Sequence, residues 1–175
     1  RDNGEQIRVP LAYGAKEKFI RRIEESSSIT DDVRDVGIPL PRLGFDITGF
    51  AYDPSRKGNK LRKRIMRDST SGASHSYSEV PYNVSFSLFS FTRTMDDNLQ
   101  IMEQILPYFT PEFNVSINMN RLNQSVDVPI VLGGVQTTED YEGDFSGRRT
   151  IVTSFDFTAK SYIFNRIKTG KIILQ

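Results

Sequence analysis

A single histidine, two acidic clusters, a glycine pair and a basic run are the groups in this chain that could do chemistry. His75 lies between Ser74 and Ser76 in a Ser/Gly-rich stretch. A hydrolase built on it would need a nucleophile to activate and a carboxylate to orient the ring. No G-x-S-x-G elbow supplies that nucleophile, so a solvated histidine is expected. Asp96-Asp97 could serve a metal or a general acid. They follow Thr94 in the S/T-x-x-D/E form of a capping box, and a helix start explains them without further assumption. Glu139, Asp140, Glu142 and Asp144 could surround calcium, but their spacing is not that of an EF-hand loop, and a solvated acidic turn is expected. Gly133-Gly134 lacks the surrounding pattern of a dinucleotide or phosphate loop and reads as a turn. With no cysteine, disulfides, thiol nucleophiles and cysteine-zinc sites are excluded. No catalytic residue, metal or cofactor is expected.

The strongest electrostatic feature is basic. Arg56, Lys57, Lys60, Arg62, Lys63, Arg64 and Arg67 are seven of the 23 Lys and Arg residues, in a chain of net charge +1. Such a run can contact nucleic-acid phosphates, dock on an acidic protein face, or simply be solvated. No aromatic residue lies between Tyr52 and Tyr77, which argues against stacking on single strands.

The elements that would position these groups follow from hydrophobic periodicity. Gln6 to Tyr13 reads as a short strand. Ala15 to Glu25 reads as a helix with Phe19, Ile20 and Ile23 on one face, ended by Ser26-Ser27-Ser28. Leu43 to Tyr52 reads as a strand whose spacing slips near Gly49, which predicts a bulge. From Asp53 to Ser78 the periodicity fades, and a loop or arm is expected. Val80 to Thr92 alternates clearly as a strand. A helix then starts at the capping box, with Leu99, Met102, Ile105, Leu106 and Phe109 at helical spacing, and Pro107 closes or kinks it. Further strands are predicted over Phe113–Met119, Val126–Leu132, Ile151–Ala159 and Ile163–Leu174, the last with a turn near Thr169-Gly170. This order predicts an α+β fold, a mostly antiparallel sheet with two main helices in one domain over 1–175.

A charged fraction of 26% and a hydrophobic fraction of 37% are those of a globular chain. No apolar run reaches the ~20 residues of a membrane span, and nothing resembles a signal peptide, so no membrane association is expected. The chain opens without Met and stops in Ile172-Ile173-Leu174, so both ends are expected to be shortened relative to the gene product.

Three segments together resemble a known family. They are Ile7-Arg8-Val9-Pro10-Leu11-Ala12-Tyr13 with Lys16, Glu17 and Phe19; Leu40-Pro41-Arg42-Leu43; and Ser90 to Asn114, reading SFTRTMDDNLQIMEQILPYFTPEFN. The similarity is strongest at Phe91-Thr92-Arg93, Asp96-Asp97 and Glu103-Gln104-Ile105-Leu106-Pro107-Tyr108-Phe109. The chain is similar here to the tail sheath stabiliser, or tail completion (sheath terminator), family of contractile-tailed bacteriophages. That resemblance implies a fold like phage tail terminators and a non-catalytic virion protein assembled in the host cytoplasm. It also implies a homohexameric ring at the head-proximal end of the tail, touching sheath, tube terminator and neck proteins. The alternative is a nucleic-acid-binding module that uses the basic arm.

Overall fold

The computed structural model describes residues 8–28, 40–68, 72–110, 112–119, 124–140, 150–166 and 168–171. Strand β1 (Leu11–Tyr13) leads into helix α1 (Lys16–Ser28), and β2 (Arg42–Tyr52) follows a cis Leu40–Pro41 bond. A 3-10 turn (Pro54–Arg56) precedes β3 (Lys63–Asp68) and β4 (Gly72–Tyr77). Strand β5 (Val80–Thr92) feeds helix α2 (Met95–Ile105) and a second 3-10 turn (Leu106–Tyr108). The chain then runs through β6 (Glu112–Met119), β7 (Gln124–Asp140), β8 (Thr150–Ile163) and β9 (Lys168–Lys171). The main sheet has six strands in the order β1-β2-β5-β8-β7-β6, antiparallel except for the β1–β2 pair. A second sheet has the order β3-β4-β9. The expected α+β class, mostly antiparallel with two helices, is the one observed.

Register assigns each residue to a face, because opposed residues share a face and successive residues alternate. Phe89 and Phe91 of β5, with Val152 of β8 opposite Phe91, lie on the face that packs α1 through Phe19. The Phe19 and Phe91 rings are 5.5 Å apart. Leu88, Ser90 and Thr92 point the other way, with Phe155, Thr153 and Ile151 opposite them. That face packs α2, whose Asn98 accepts a 2.9 Å hydrogen bond from Thr153. The two helices therefore sit on opposite faces of one sheet.

The bulge expected near Gly49 exists, as a register shift between Ile47 and Gly49 against β5. Its effect is specific. Leu43, Phe45 and Ile47 alternate onto the α2 face, and one extra residue, Thr48, returns Phe50 and Tyr52 to that same face.

Several expectations are corrected. Segment 53–78 is a 3-10 turn followed by two paired strands, β3 and β4, rather than a structureless arm; the ladder joins them residue by residue from Lys63↔Tyr77 to Asp68↔Gly72. Gly133-Gly134 is a bulge inside β7, not a turn, since β8 pairs on both sides of it. Strand β7 accordingly runs to Asp140 and takes in Glu139 and Asp140. Thr169-Gly170 lies within β9, where it pairs with Ala73 and Ser74. Helix α1 includes Ser26–Ser28, so the serines do not stop it early. In α2 the buried positions are Asn98, fully, and Ile101, while Leu99 is half exposed. Residues 6–7, 69–71, Glu142 and Asp144 lie outside the described residues.

Gly44 is required by a close approach. A Cβ there would lie 2.6 Å from Phe19 Cε2, a ring atom held in the core, whereas a Cβ at Gly49 meets nothing within 4 Å. Denaturant unfolding should therefore show Gly44→Ala less stable by about 1–3 kcal/mol. Gly49→Ala should stay within about 0.5 kcal/mol of the parent.

Candidate functional site

The two faces of the main sheet differ in polarity. Away from α1, the α1 face carries Asn83, Ser85 and Ser87 on β5, with Asp156, Thr158 and Lys160 on β8. Ser87 donates to Asp156 Oδ1 at 2.6 Å. This is a solvated face that needs no cover. The α2 face is largely apolar, apart from Ser90, Thr92, Thr137, Glu139, Thr153 and Ser161. It carries Leu11 and Tyr13 on β1, the five apolar residues of β2, and Tyr82, Val84, Phe86 and Leu88 on β5. Beyond them lie Phe155 and Phe157 on β8, Ile130 and Leu132 on β7, and Phe113, Val115 and Ile117 on β6.

Only α2 and its following turn cover that face among the described elements. Helix α2 starts because Thr94 caps it: its Oγ1 accepts from the Asp97 backbone N–H and donates to Asp97 Oδ2 at 2.7 Å. The helix docks through a polar cluster centred on buried Asn98 and Thr153. Thr153 donates to Asn98 Oδ1, so in its 3.1 Å contact with Thr137 the Thr137 hydroxyl is the donor. Buried Ser90 and Thr92 hydroxyls lie on the same face without a partner among the described residues. From Asn98 over Thr153, the chain advances to Phe109, whose ring lies 4.9 Å from Phe157. It stops there. Beyond it the sheet continues to Tyr52, Tyr82 and Ile163.

That end of the face is bare. Ile47 is 45% exposed, Phe50 64%, Tyr52 47% and Ile163 52%. Together these side chains hold on the order of 400 Å² of accessible surface, the size of the largest apolar patch on a typical monomer, which is often functional. Leu11 and Tyr13 at one edge, and Phe113 and Ile117 at the other, are exposed as well.

The basic run divides in two. Arg56 is an anchor: it bridges Asp53 Oδ2 at 2.8 Å, donates to Asn83 Oδ1 at 2.7 Å, and stacks 5.1 Å over the Tyr162 ring. Lys57 donates to the Glu79 carbonyl at 3.2 Å. Lys60, Arg62 and Lys63 are exposed, with the Lys63 ammonium 5.5 Å over the Tyr77 ring. Arg64 and Arg67 are residues of β3. Beside the exposed cations stand two exposed apolar side chains, Leu61 at 81% and Ile65 at 68%.

The remaining sequence candidates do not converge on a site. His75 sits in β4 opposite Ile65, not in a loop, and no carboxylate is its ladder partner. Among the described residues, no cluster of three His, Cys, Asp or Glu groups could hold a metal. Arg93, Asp96, Glu103, Gln104, Pro107 and Tyr108 are exposed along α2 and its flanks, whereas Phe109 turns inward onto Phe113 and Phe157. Sequence reasoning missed the bare patch because alternating apolar residues look the same whether covered or not.

What the described residues present is a mostly antiparallel α+β fold with exposed apolar and basic contact surfaces. The chain belongs to the T4-like virus Myoviridae tail sheath stabiliser family, whose model matches residues 1–175. It is 33% identical over 174 residues to a protein of Enterobacteria phage T4 named tail completion protein gp15. The match covers 97% of this chain and 64% of that protein, so the chain spans less than two thirds of its relative's length.

The Arg56 anchor has a pH signature. Hydrogen bonds from the Ser55 hydroxyl and the Arg56 guanidinium draw the Asp53 carboxyl down from 3.8 to about 2. A depressed folded value means the stabilisation is complete above the unfolded aspartate value and is lost as pH falls toward 2. An NMR titration should find the Asp53 midpoint near 2. The stability difference between parent and Asp53→Asn should be flat at neutral pH and shrink only below about pH 4.

Proposed function

We propose that this chain acts without catalysis, as a single-domain contact subunit at the head-proximal end of a contractile phage tail. In this reading six copies close into a ring seated on the last ring of sheath subunits. The ring meets the tube terminator and faces the neck proteins, and it is built in the host cytoplasm before becoming part of the virion. Family membership over the whole chain carries the reading. The incompletely covered apolar face supports it, because packing a partner on such a face removes apolar surface from water.

Mechanically, the reading needs a rigid subunit and many repeated contacts. Two helices clamped on opposite faces of one sheet supply the rigidity. A ring multiplies each weak contact by the number of copies, so the end of the sheath resists opening although no single interface is strong. The expected result is six-fold rings in electron micrographs of the purified protein, or of the protein with its tail partners. Monomers in both settings would count against it.

Nucleic-acid binding is the second reading, favoured by the exposed Lys60, Arg62 and Lys63. It is weakened because Arg56 and Lys57, the first two cations of the run, are already engaged within the chain. Replacing Arg62, Lys63 and Arg64 with Glu separates the two. Tails that form but shed their sheath, with DNA affinity unaltered, support assembly. Loss of salt-dependent DNA affinity with normal tails supports the alternative.

A further inference from the structure

We propose that copies of this chain join head to tail, the β3–β4 strand pair of one docking on the bare end of the α2 face of the next. The proposal rests on the reading of the chain as a self-assembling subunit and names the two surfaces that reading leaves open.

Each surface has what the other lacks. The strand pair and its approach present apolar Leu61 and Ile65 among the cations Lys60, Arg62 and Lys63. Ile65 and Tyr77 share one face of the pair, as the Lys63↔Tyr77 and Ile65↔His75 register requires. The bare patch is apolar and has no charge of its own from the strands beneath it. Strand β5 is uncharged, and Arg42 and Asp46 of β2 and Asp156 and Lys160 of β8 fall on the opposite face. The patch lies beyond the C-terminal end of α2, where helix carbonyls gather partial negative charge. No basic residue stands in that last turn, and exposed Glu103 adds a carboxylate. A basic, apolar-tipped strand pair is the matching partner.

The chain's own strand pair does not fill this role. Its root is held on the polar side of the sheet, where Arg56 grips Asn83 and stacks on Tyr162. Both are α1-face residues, because Asn83 and Pro81, the partner of Tyr162, share the parity of Phe89. The exposure of Leu61 and Ile65 on one side, and of Phe50 and Tyr52 on the other, shows that the two surfaces do not meet within one molecule. A second copy brings them together. The two surfaces are different, so the contact is heterologous and propagates from copy to copy until rotation closes it. An apolar centre of roughly 400 Å² is about half of the ~800 Å² per partner of a standard interface, so the contact also needs flanking polar surface.

Sedimentation equilibrium of two variants tests this. Phe50→Lys spoils the face and Arg62→Glu/Lys63→Glu spoils the strand pair. All of these side chains are exposed, so circular dichroism and melting temperature should match the parent. Each variant alone should need at least about tenfold more protein than the parent to assemble. Mixed one to one, they retain one intact face and one intact strand pair, and should form heterodimers that grow no further. Should either variant misfold, Tyr52→Lys or Leu61→Glu takes its place. Variants that assemble like the parent, or a mixture that stays monomeric, overturn this contact while leaving a ring built through some other surface. A parent that stays monomeric at every concentration overturns self-docking itself, and sheath retention in tails then decides the broader reading separately.

Discussion

A six-stranded sheet with one polar and one apolar face can leave the first to water but must find cover for the second. Among the described residues the cover is one helix of 11 residues, about 16 Å long, and its following turn, laid on strands of up to 17 residues that reach more than three times the helix length. The mismatch is geometric and cannot be relieved by adjusting side chains. Most other features follow from it: the buried core is small and concentrated under the helices, and large apolar side chains stand exposed at both edges and at one end of a single face.

Each helix is held by a different kind of contact. Helix α1 is fixed by aromatic packing, with Phe19 pressed over Gly44 so closely that no side chain fits between them. Helix α2 is fixed by shape and by hydroxyl and amide hydrogen bonding, with Asn98 fully buried among Thr153, Thr137, Ser90 and Thr92. Buried polar contacts of this kind are directional, so they set the position of α2 along the strands more sharply than apolar contact alone. That position decides where the apolar face is left open.

The Arg56 anchor plays the corresponding part on the other side. By tying Asp53, Asn83 and Tyr162 together, it fixes the root of the basic segment against the polar face. The cations beyond it are thereby carried away from the sheet and remain available. Within this basic run, Arg56 and Lys57 are engaged with the chain's own backbone and side chains, while Lys60, Arg62 and Lys63 are exposed.

Much of the architecture was legible in local patterns. The alternation of Val80–Thr92, the Thr94 capping box, the slip at Gly49 and the stop at Pro107 each depend on neighbours within a few residues, and each is found as expected. Family membership was legible too, because it lies in a long run of residue identities rather than in geometry. What local pattern could not decide was cover and pairing. Glycine-rich and serine-rich segments read as turns or loops, yet Gly133-Gly134 is a bulge inside β7 and Gly72–Tyr77 is a paired strand, since a ladder draws on backbone groups that every residue carries. Nothing in the local pattern singles out Asn98, yet it is buried, with Thr153 of a distant strand donating to its amide oxygen. The alternation that marks Leu43–Tyr52 as a strand leaves open whether Phe50 and Tyr52 are covered; they face water, because periodicity records which side of a strand a residue takes and only the tertiary arrangement decides whether anything lies over that side.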